Sequence, residues 1–262
     1  MDERFRRLRS TFDGVAERYD AVRPGYPAAV VEDLVALTGV TSGSRVLEIG
    51  CGTGQLTVEL ARRGLDVTAV ELGPSLARLA RRNLASFPNA KVVVGAFEDH
   101  AVDEPVDAVI SALSFHWIPP EVRVTRCAAA LRPGGALAVV EVSHVAGGTD
   151  AFFVEVQDCH LRFDPDTPPG LRLPAAHAVP LAYLELDQSP LFGMVERRRH
   201  EWEVTYSAAT YCELLGTYSP NLALPDDLRD GLLDCIATLI DERFGGTITK
   251  RYLAEVVITR RR

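Results

Sequence analysis

The chemistry of this chain starts at a short apolar run that ends in glycines. In Val46-Leu47-Glu48-Ile49-Gly50-Cys51-Gly52-Thr53-Gly54, three alternating glycines allow the backbone to approach a ligand closely. A helix starting just behind them would aim its free N–H groups at that ligand. The spacing is GxGxG: Gln55 stands where a dinucleotide fingerprint, GxGxxG, needs its third glycine. No Gly-Lys-Ser/Thr follows, so a phosphate-cradling P-loop is excluded. Glu48 would repel a pyrophosphate and suits a cationic group. A second apolar run, Asp66 to Glu71, ends in a carboxylate placed to accept both hydroxyls of a ribose.

Together these residues ask for a ribose and a positively charged tail without phosphates. S-adenosylmethionine carries that pattern: a ribose, a sulfonium and an amino acid with an ammonium group. His116 follows the fourth apolar run. There it is placed to take a proton from a substrate hydroxyl, amine or acidic carbon, or else to pack the loop together with Trp117. Tyr19, Arg23 and Tyr26 are positioned to close over the ligand or to bind a substrate carboxylate. Cys51 lacks an adjacent histidine and reads as a small loop residue, not a nucleophile. Gly73-Pro74-Ser75-Leu76-Ala77 imitates a hydrolase elbow but lacks its last glycine, so Ser75 reads as a helix cap. The histidines and acidic residues show no metal-ligand spacing, and no metal is expected.

The elements that must hold these residues follow from periodicity. Two helical stretches, Ser10–Asp20 and Ala28–Thr38, flank Arg23-Pro24-Gly25-Tyr26-Pro27 and form an N-terminal entry over residues 1–40. Strands at 45–50, 66–71, 91–95, 106–112 and 136–142 alternate with helices at 55–63, 74–87 and 120–131. Beyond Ser143 the expected order is a helix (150–163), a proline-rich stretch (164–180), a helix (181–188), a strand (197–206), two helices (208–215 and 226–243) and a last strand (247–258). This predicts an α/β, Rossmann-like, doubly wound, seven-stranded and mostly parallel sheet in one domain of 262 residues. Residues 144–195 are expected to form a helical insertion serving as lid and substrate wall.

Composition narrows the function. Hydrophobic residues are 47 % of the chain and the formal net charge is −8, so a chain-wide basic surface for nucleic acid is not expected. The arginine clusters at 4–9, 197–199 and 260–262 read as solvated faces or chain ends. The five cysteines are widely spaced, which predicts reduced thiols in a cytoplasmic protein. No apolar run suits a membrane span, and the opening Met-Asp-Glu-Arg-Phe-Arg-Arg lacks the apolar core of a leader.

The chain resembles the class I S-adenosylmethionine-dependent methyltransferases, in the small-molecule branch that includes trans-aconitate-type enzymes. The resemblance rests on Val46–Gly54, the Tyr19…Arg23-Pro24…Tyr26-Pro27 entry, Val70-Glu71, Asp107–Ser111 with Phe115-His116-Trp117, and Leu131-Arg132-Pro133-Gly134-Gly135. It implies that Gly50, Cys51, Gly52, Gly54 and Gln55 shape the loop under the methionine part of the cofactor. Glu48 would lie near its ammonium, Glu71 on the ribose, and Leu72, Phe97 and Glu98 by the adenine. Ser111 and Ala112 would sit near the sulfonium. Many members carry an aspartate toward the adenine amino group where Ala96 stands, so Glu98 or a backbone carbonyl is expected there. The implied activity is methyl transfer to a small-molecule acceptor, yielding S-adenosylhomocysteine, by a monomer or homodimer that needs neither nucleic acid nor membrane. Two other readings are a cofactor-binding protein that does not transfer methyl and an NAD(P)-dependent oxidoreductase, the latter opposed by Gln55 and Glu48.

Overall fold

A computed structural model describes residues 11–164 and 166–262. The expected arginine cluster at 4–9 lies outside the described residues. The entry begins with a 3-10 turn, Thr11–Val15, followed by helices α1 (Ala16–Val22) and α2 (Ala28–Thr38). Then come β1 (Arg45–Ile49), α3 (Gln55–Arg62), β2 (Asp66–Glu71), α4 (Pro74–Asn83), β3 (Ala90–Val94), β4 (Val106–Ala112) and α5 (Pro120–Ala130). The second half comprises β5 (Leu131–Gly148), α6 (Asp150–Phe163), α7 (Glu185–Gln188), β6 (Glu196–Ser207), α8 (Ala208–Leu215), α9 (Ser219–Leu222), α10 (Asp226–Arg243) and β7 (Thr247–Arg260).

The seven strands form one sheet in the order β3-β2-β1-β4-β5-β7-β6. The pairings from β3 to β5 are parallel, and β7 is antiparallel to both β5 and β6. Side chains alternate across each strand, so both faces of the sheet are buried. Val46, Ala108 and Ala138 face α2 and α3 through Val31, Leu34 and Leu60. Leu47, Val109 and Leu137 face α5 through Cys127 and Ala130. Helices on both faces explain why the parallel strands read as unbroken apolar runs.

The strand order reverses between β1 and β4. At such a point the loops after neighbouring strands diverge and leave a crevice beyond their carboxyl ends. The entry segment is tied over this crevice. The Asp13 carboxylate accepts from the backbone N–H groups of Ser75 and Leu76, at 2.6 and 3.1 Å. It therefore caps α4 from the other end of the chain, taking the role expected of Ser75. Ala16 of α1 packs with Leu76 and Leu79 of α4.

Three expectations are corrected. First, β5 extends over 18 residues and β7 over 14, so positions 144–148 belong to the sheet, not to an insertion. The long β5-β7-β6 ribbon projects past the crevice. Phe152 and Val156 of α6, Tyr211 and Leu214 of α8, and Ile236 and Ile240 of α10 pack on it as a second core. Second, within 181–188 only Glu185–Gln188 is helical. Third, Cys159 of α6 and Cys235 of α10 form a disulfide, while Cys51, Cys127 and Cys212 are free. The two helices pack side by side in the second core, which brings together thiols 76 positions apart.

No helix among the described residues is long and apolar enough to cross a membrane, and no group of described residues is arranged to hold a metal ion.

Candidate active site

The loop between β1 and α3 is built on glycines in the left-handed region. Gly50 has φ 66° and Gly52 φ 57°. A Cβ on Gly50 would stand 2.5 Å from Cβ of Ser114, closer than atoms can pack. Gly52 faces the Tyr19 ring, 3.6 Å from where its Cβ would lie. The loop is thus folded tightly enough to expose backbone to the crevice, which no other residue type would permit here.

Above it lies a cavity of about 480 Å³, within the range of small-molecule sites. Gly50, Gly52, Glu71, Leu72 and Phe97 line it, as do Tyr19, Arg23, His116 and Trp117. Glu71 is 7 % exposed and accepts the N–H groups of Gly52 and Gly73, each at 2.8 Å. Burial raises its pKa and these backbone donors oppose the rise. A carboxylate has about four acceptor sites, so Glu71 retains capacity toward the cavity after binding both amides.

The structure does not bring Glu48, Cys51, Gly54, Glu98, Ser111 or Ala112 to the cavity walls. The Glu48 side chain lies on the α2–α3 face of β1, buried, with Oε2 lacking a partner. Burial pushes its pKa up to about 7. Direct contact with a ligand ammonium is therefore not supported by its placement. Burial holds the Cys51 thiol well above its ordinary range, the reverse of a reactive cysteine. Gly54, φ 88°, is the N-cap of α3. The Ser111 hydroxyl is fully buried and bonds Oγ of Ser114 at 2.6 Å. Leu113 and Ser114 form the wall expected of Ser111 and Ala112. Leu113 is one of two non-glycine residues with positive φ among the described residues, at 56°, a conformation that clusters at functional sites.

His116 is half-exposed, with Nδ1 3.5 Å from Oε2 of Glu141. Tyr183 donates its hydroxyl to the same oxygen. Burial acts to raise the Glu141 pKa, but the bonds from His116 and Tyr183 outweigh it, and the net shift is down. A lasting carboxylate thus orients the imidazole against the cavity.

A second cavity of about 270 Å³ adjoins the first. Tyr19, Arg23, Leu113, Val142 and Tyr218 line both. Its far wall is the β5-β7-β6 ribbon. His144, Tyr252 and Trp202 lie opposite one another in one row across the three strands, and the Trp202 and Tyr252 rings stack at 5.0 Å. Tyr26 and Gln55 line this cavity too. Of the described residues in the expected lid at 144–195, only His144 lines either cavity, and Tyr183 braces Glu141. The cover comes instead from the entry segment and from Tyr218, Ser219 and Pro220. Arg23 ties the two together. Its Nε and Nη2 donate to Oγ1 and O of Thr217, both at 2.9 Å, and its guanidinium lies over the rings of Tyr19 and Tyr218.

Sequence reasoning missed Tyr218, Lys250, Trp202, Tyr252 and Glu141. They belong to no motif: Glu141, Trp202, Lys250 and Tyr252 stand on β5, β6 and β7, whose register brings them to the crevice, and Tyr218 stands in the turn after α8.

The sheet order, the glycine loop and the carboxylate after β2 define the class I methyltransferase fold, a Rossmann-like architecture. Residues 46–135 match the family model described as "Methyltransferase domain". The chain is 36 % identical over 131 residues to an uncharacterized methyltransferase of Mycobacterium tuberculosis, covering 50 % of this chain and 51 % of that one. It is also 36 % identical over 135 residues to a ubiquinone biosynthesis O-methyltransferase of Xanthomonas campestris, covering 48 % and 56 %. The chain thus spans about half the length of the curated relatives it matches. Among solved structures, a Haemonchus contortus phosphoethanolamine N-methyltransferase shares the fold with a TM-score of 0.51 at 17 % identity, over 93 % of this chain and 57 % of that one. The [4+2]-cyclase SpnF does so with a TM-score of 0.55 at 18 % identity, over 95 % and 93 %.

Proposed function

We propose that this protein is an S-adenosylmethionine-dependent methyltransferase acting on a small-molecule acceptor. The single observation that carries the reading is Glu71. Its carboxylate lies at the carboxyl end of β2, fixed by the amides of Gly52 and Gly73, at the wall of a cavity floored by the glycine loop. The residues fit the cofactor. Glu71 would take the ribose hydroxyls, Leu72 and Phe97 the adenine, and Gly50 and Gly52 the methionine part. When bound, the cofactor supplies an electrophilic methyl group on a sulfonium.

The protein's own work is then alignment and exclusion of water. Tyr19 and Trp117 cover the first cavity, and Arg23 holds that cover to the Thr217 loop. The second, aromatic cavity, continuous with the first through Leu113 and Tyr218, is the acceptor chamber. Its enclosure favours a small molecule over a nucleic acid. The assignment to a trans-aconitate-type branch and a cytoplasmic location belong to this proposal; the Cys159–Cys235 disulfide is what weighs against the location. The relative that methylates in ubiquinone biosynthesis supports a small organic acceptor. SpnF, a cyclase on the same fold, supports keeping a second reading in which the cofactor binds without methyl transfer.

Calorimetric titration with S-adenosylmethionine, S-adenosylhomocysteine and NAD(P)H tests the proposal. The two sulfur ligands should bind and the nicotinamides should not. Failure of both sulfur ligands to bind folded, ligand-free protein overturns it.

A further inference from the structure

Lys250 is one of two lysines among 28 cationic side chains, and it is buried, at 4 % exposure. Burying an ammonium is costly unless an anion or strong acceptor meets it. Among the described residues no carboxylate pairs with Lys250 or with nearby Arg23. What Lys250 meets is a phenol: Nζ donates to the Tyr218 hydroxyl oxygen at 3.0 Å and lies over the Tyr218 and Tyr252 rings. The Arg23 guanidinium sits 4.5 Å from the Tyr218 ring centre.

Lys250 can only donate, so Tyr218 must accept. The Tyr252 hydroxyl is bonded to that of Tyr206 at 2.9 Å. The Tyr218 oxygen is thus set against an ammonium, as an anionic oxygen would be, and the residue lines both cavities.

We propose that Tyr218 is the general base for the acceptor, with Lys250 as its positioning residue. This rests on the methyltransferase reading and deepens it. The acceptor is a hydroxyl of phenol or enol type, because such a group is protonated near neutrality and a phenolate matches its acidity. In the step, the acceptor O–H proton passes to the Tyr218 oxygen. The freed oxygen pair forms the new O–CH₃ bond, and the pair of the broken S–CH₃ bond returns to sulfur. The proton then passes from the Tyr218 hydroxyl to solvent.

The groups facing Tyr218 are consistent with this. Burial acts to raise its pKa, but Lys250 and Arg23, with the bond from Lys250, bring it down. Tyr19 from α1, Tyr206 from β6 and Tyr211 from α8 face it as phenols, and all are shifted up by burial. His144 from β5 is held neutral, at about 3, by burial and by Lys250. The chain has seven tyrosines, and Tyr26, Tyr183 and Tyr252 are likewise shifted up. Tyr218 is therefore the one tyrosine whose surroundings shift its pKa down.

Ultraviolet titration of the folded protein reads this directly. The wild type should show one tyrosine equivalent of tyrosinate absorbance below the usual tyrosine pKa of about 10. Tyr218→Phe should lose it, and Lys250→Met should move it upward. Absence of the early equivalent, or its survival in Tyr218→Phe, overturns the proposal. 4-Nitrophenol added to the S-adenosylhomocysteine complex tests the acceptor class. Its nitrophenolate band should grow on binding to the wild type and not to Tyr218→Phe; equal bands in the two overturn that class. Calorimetry with S-adenosylhomocysteine on the same samples separates the two failures. No cofactor binding sinks the methyltransferase reading, whereas binding without an early tyrosinate sinks this inference alone.

Discussion

At the scale of single residues, Glu48 and Glu71 show how one residue type takes opposite roles by placement. They end neighbouring strands, both are buried, and both have raised pKa values. Glu71 has backbone donors and faces the cavity; Glu48 has an oxygen without a partner and faces the core. Glu71→Ala should weaken S-adenosylhomocysteine binding roughly 10- to 100-fold, the worth of about 1.5–3 kcal/mol for hydrogen bonds to a charged group. Unchanged affinity in calorimetry would remove Glu71 from the site. Glu48 predicts a pH effect instead. Its folded pKa of about 7 exceeds the unfolded carboxylate value, so the folded state binds more protons between the two. Stability is then highest at acid pH and falls as pH rises toward the folded pKa, by up to roughly 3 kcal/mol. Glu48→Gln should remove this fall and raise the urea midpoint more at pH above the folded pKa than well below it. Parallel pH profiles of wild type and variant would refute the assignment. Glu71, Gly50 and Gly52 were legible in the sequence because contiguous motifs define them. Glu48 was legible as a carboxylate but not as a core group, because its direction depends on which face of β1 it occupies.

At the scale of elements, every strand expected from the apolar runs is present, since two-sided burial leaves a dense signature. What did not show was the length of β5. Ser143 and His144 break the apolar pattern where the ribbon leaves the main core, so the pattern predicts a strand end at 142. Lys250 and Trp202 were illegible as site residues because they come from β7 and β6, and only the β5-β7-β6 register brings their side chains to one cavity. Tyr218 stands in the turn after α8, which carries no motif. The disulfide belongs to this scale as well. Cys159 and Cys235 join α6 to α10 under the ribbon, closing a loop of 76 residues. A cross-link of that span restricts the unfolded chain by about 4 kcal/mol in the chain-entropy treatment. Urea unfolding with and without reductant, and of Cys235→Ser, should show a loss of that order. Identical midpoints, with both thiols free to alkylation, would show that the pair is not joined in solution.

At the scale of the whole molecule, the site is covered by segments far apart in the sequence, the entry segment, Trp117 and the turn after α8. The entry segment contributes Phe12, Tyr19 and Arg23, and the turn after α8 contributes Tyr218. Both are held to the scaffold mainly by polar and aromatic contacts. The Glu17–Arg78 pair is largely exposed, and such pairs contribute little. The better-covered anchors are Ala16 on α4, the Asp13 bonds to the start of α4 and the part-buried Arg23–Thr217 bonds. Elements with few buried apolar contacts open at low free energy, so this cover is the part of the fold suited to admit ligand. A ligand that bridges the glycine loop and Tyr19 stabilises the closed arrangement in proportion to its occupancy. Trypsin should therefore cut after Arg18 in free protein, and saturating S-adenosylhomocysteine should slow that cleavage by at least the ratio of bound to free protein. Arg23→Lys, which loses the paired bonds to Thr217, should speed the cut in free protein and keep the protection by ligand. Cleavage at Arg18 that ignores the ligand would mean the entry segment does not close on the cofactor, and the cover would have to be sought at Tyr218–Pro220 alone.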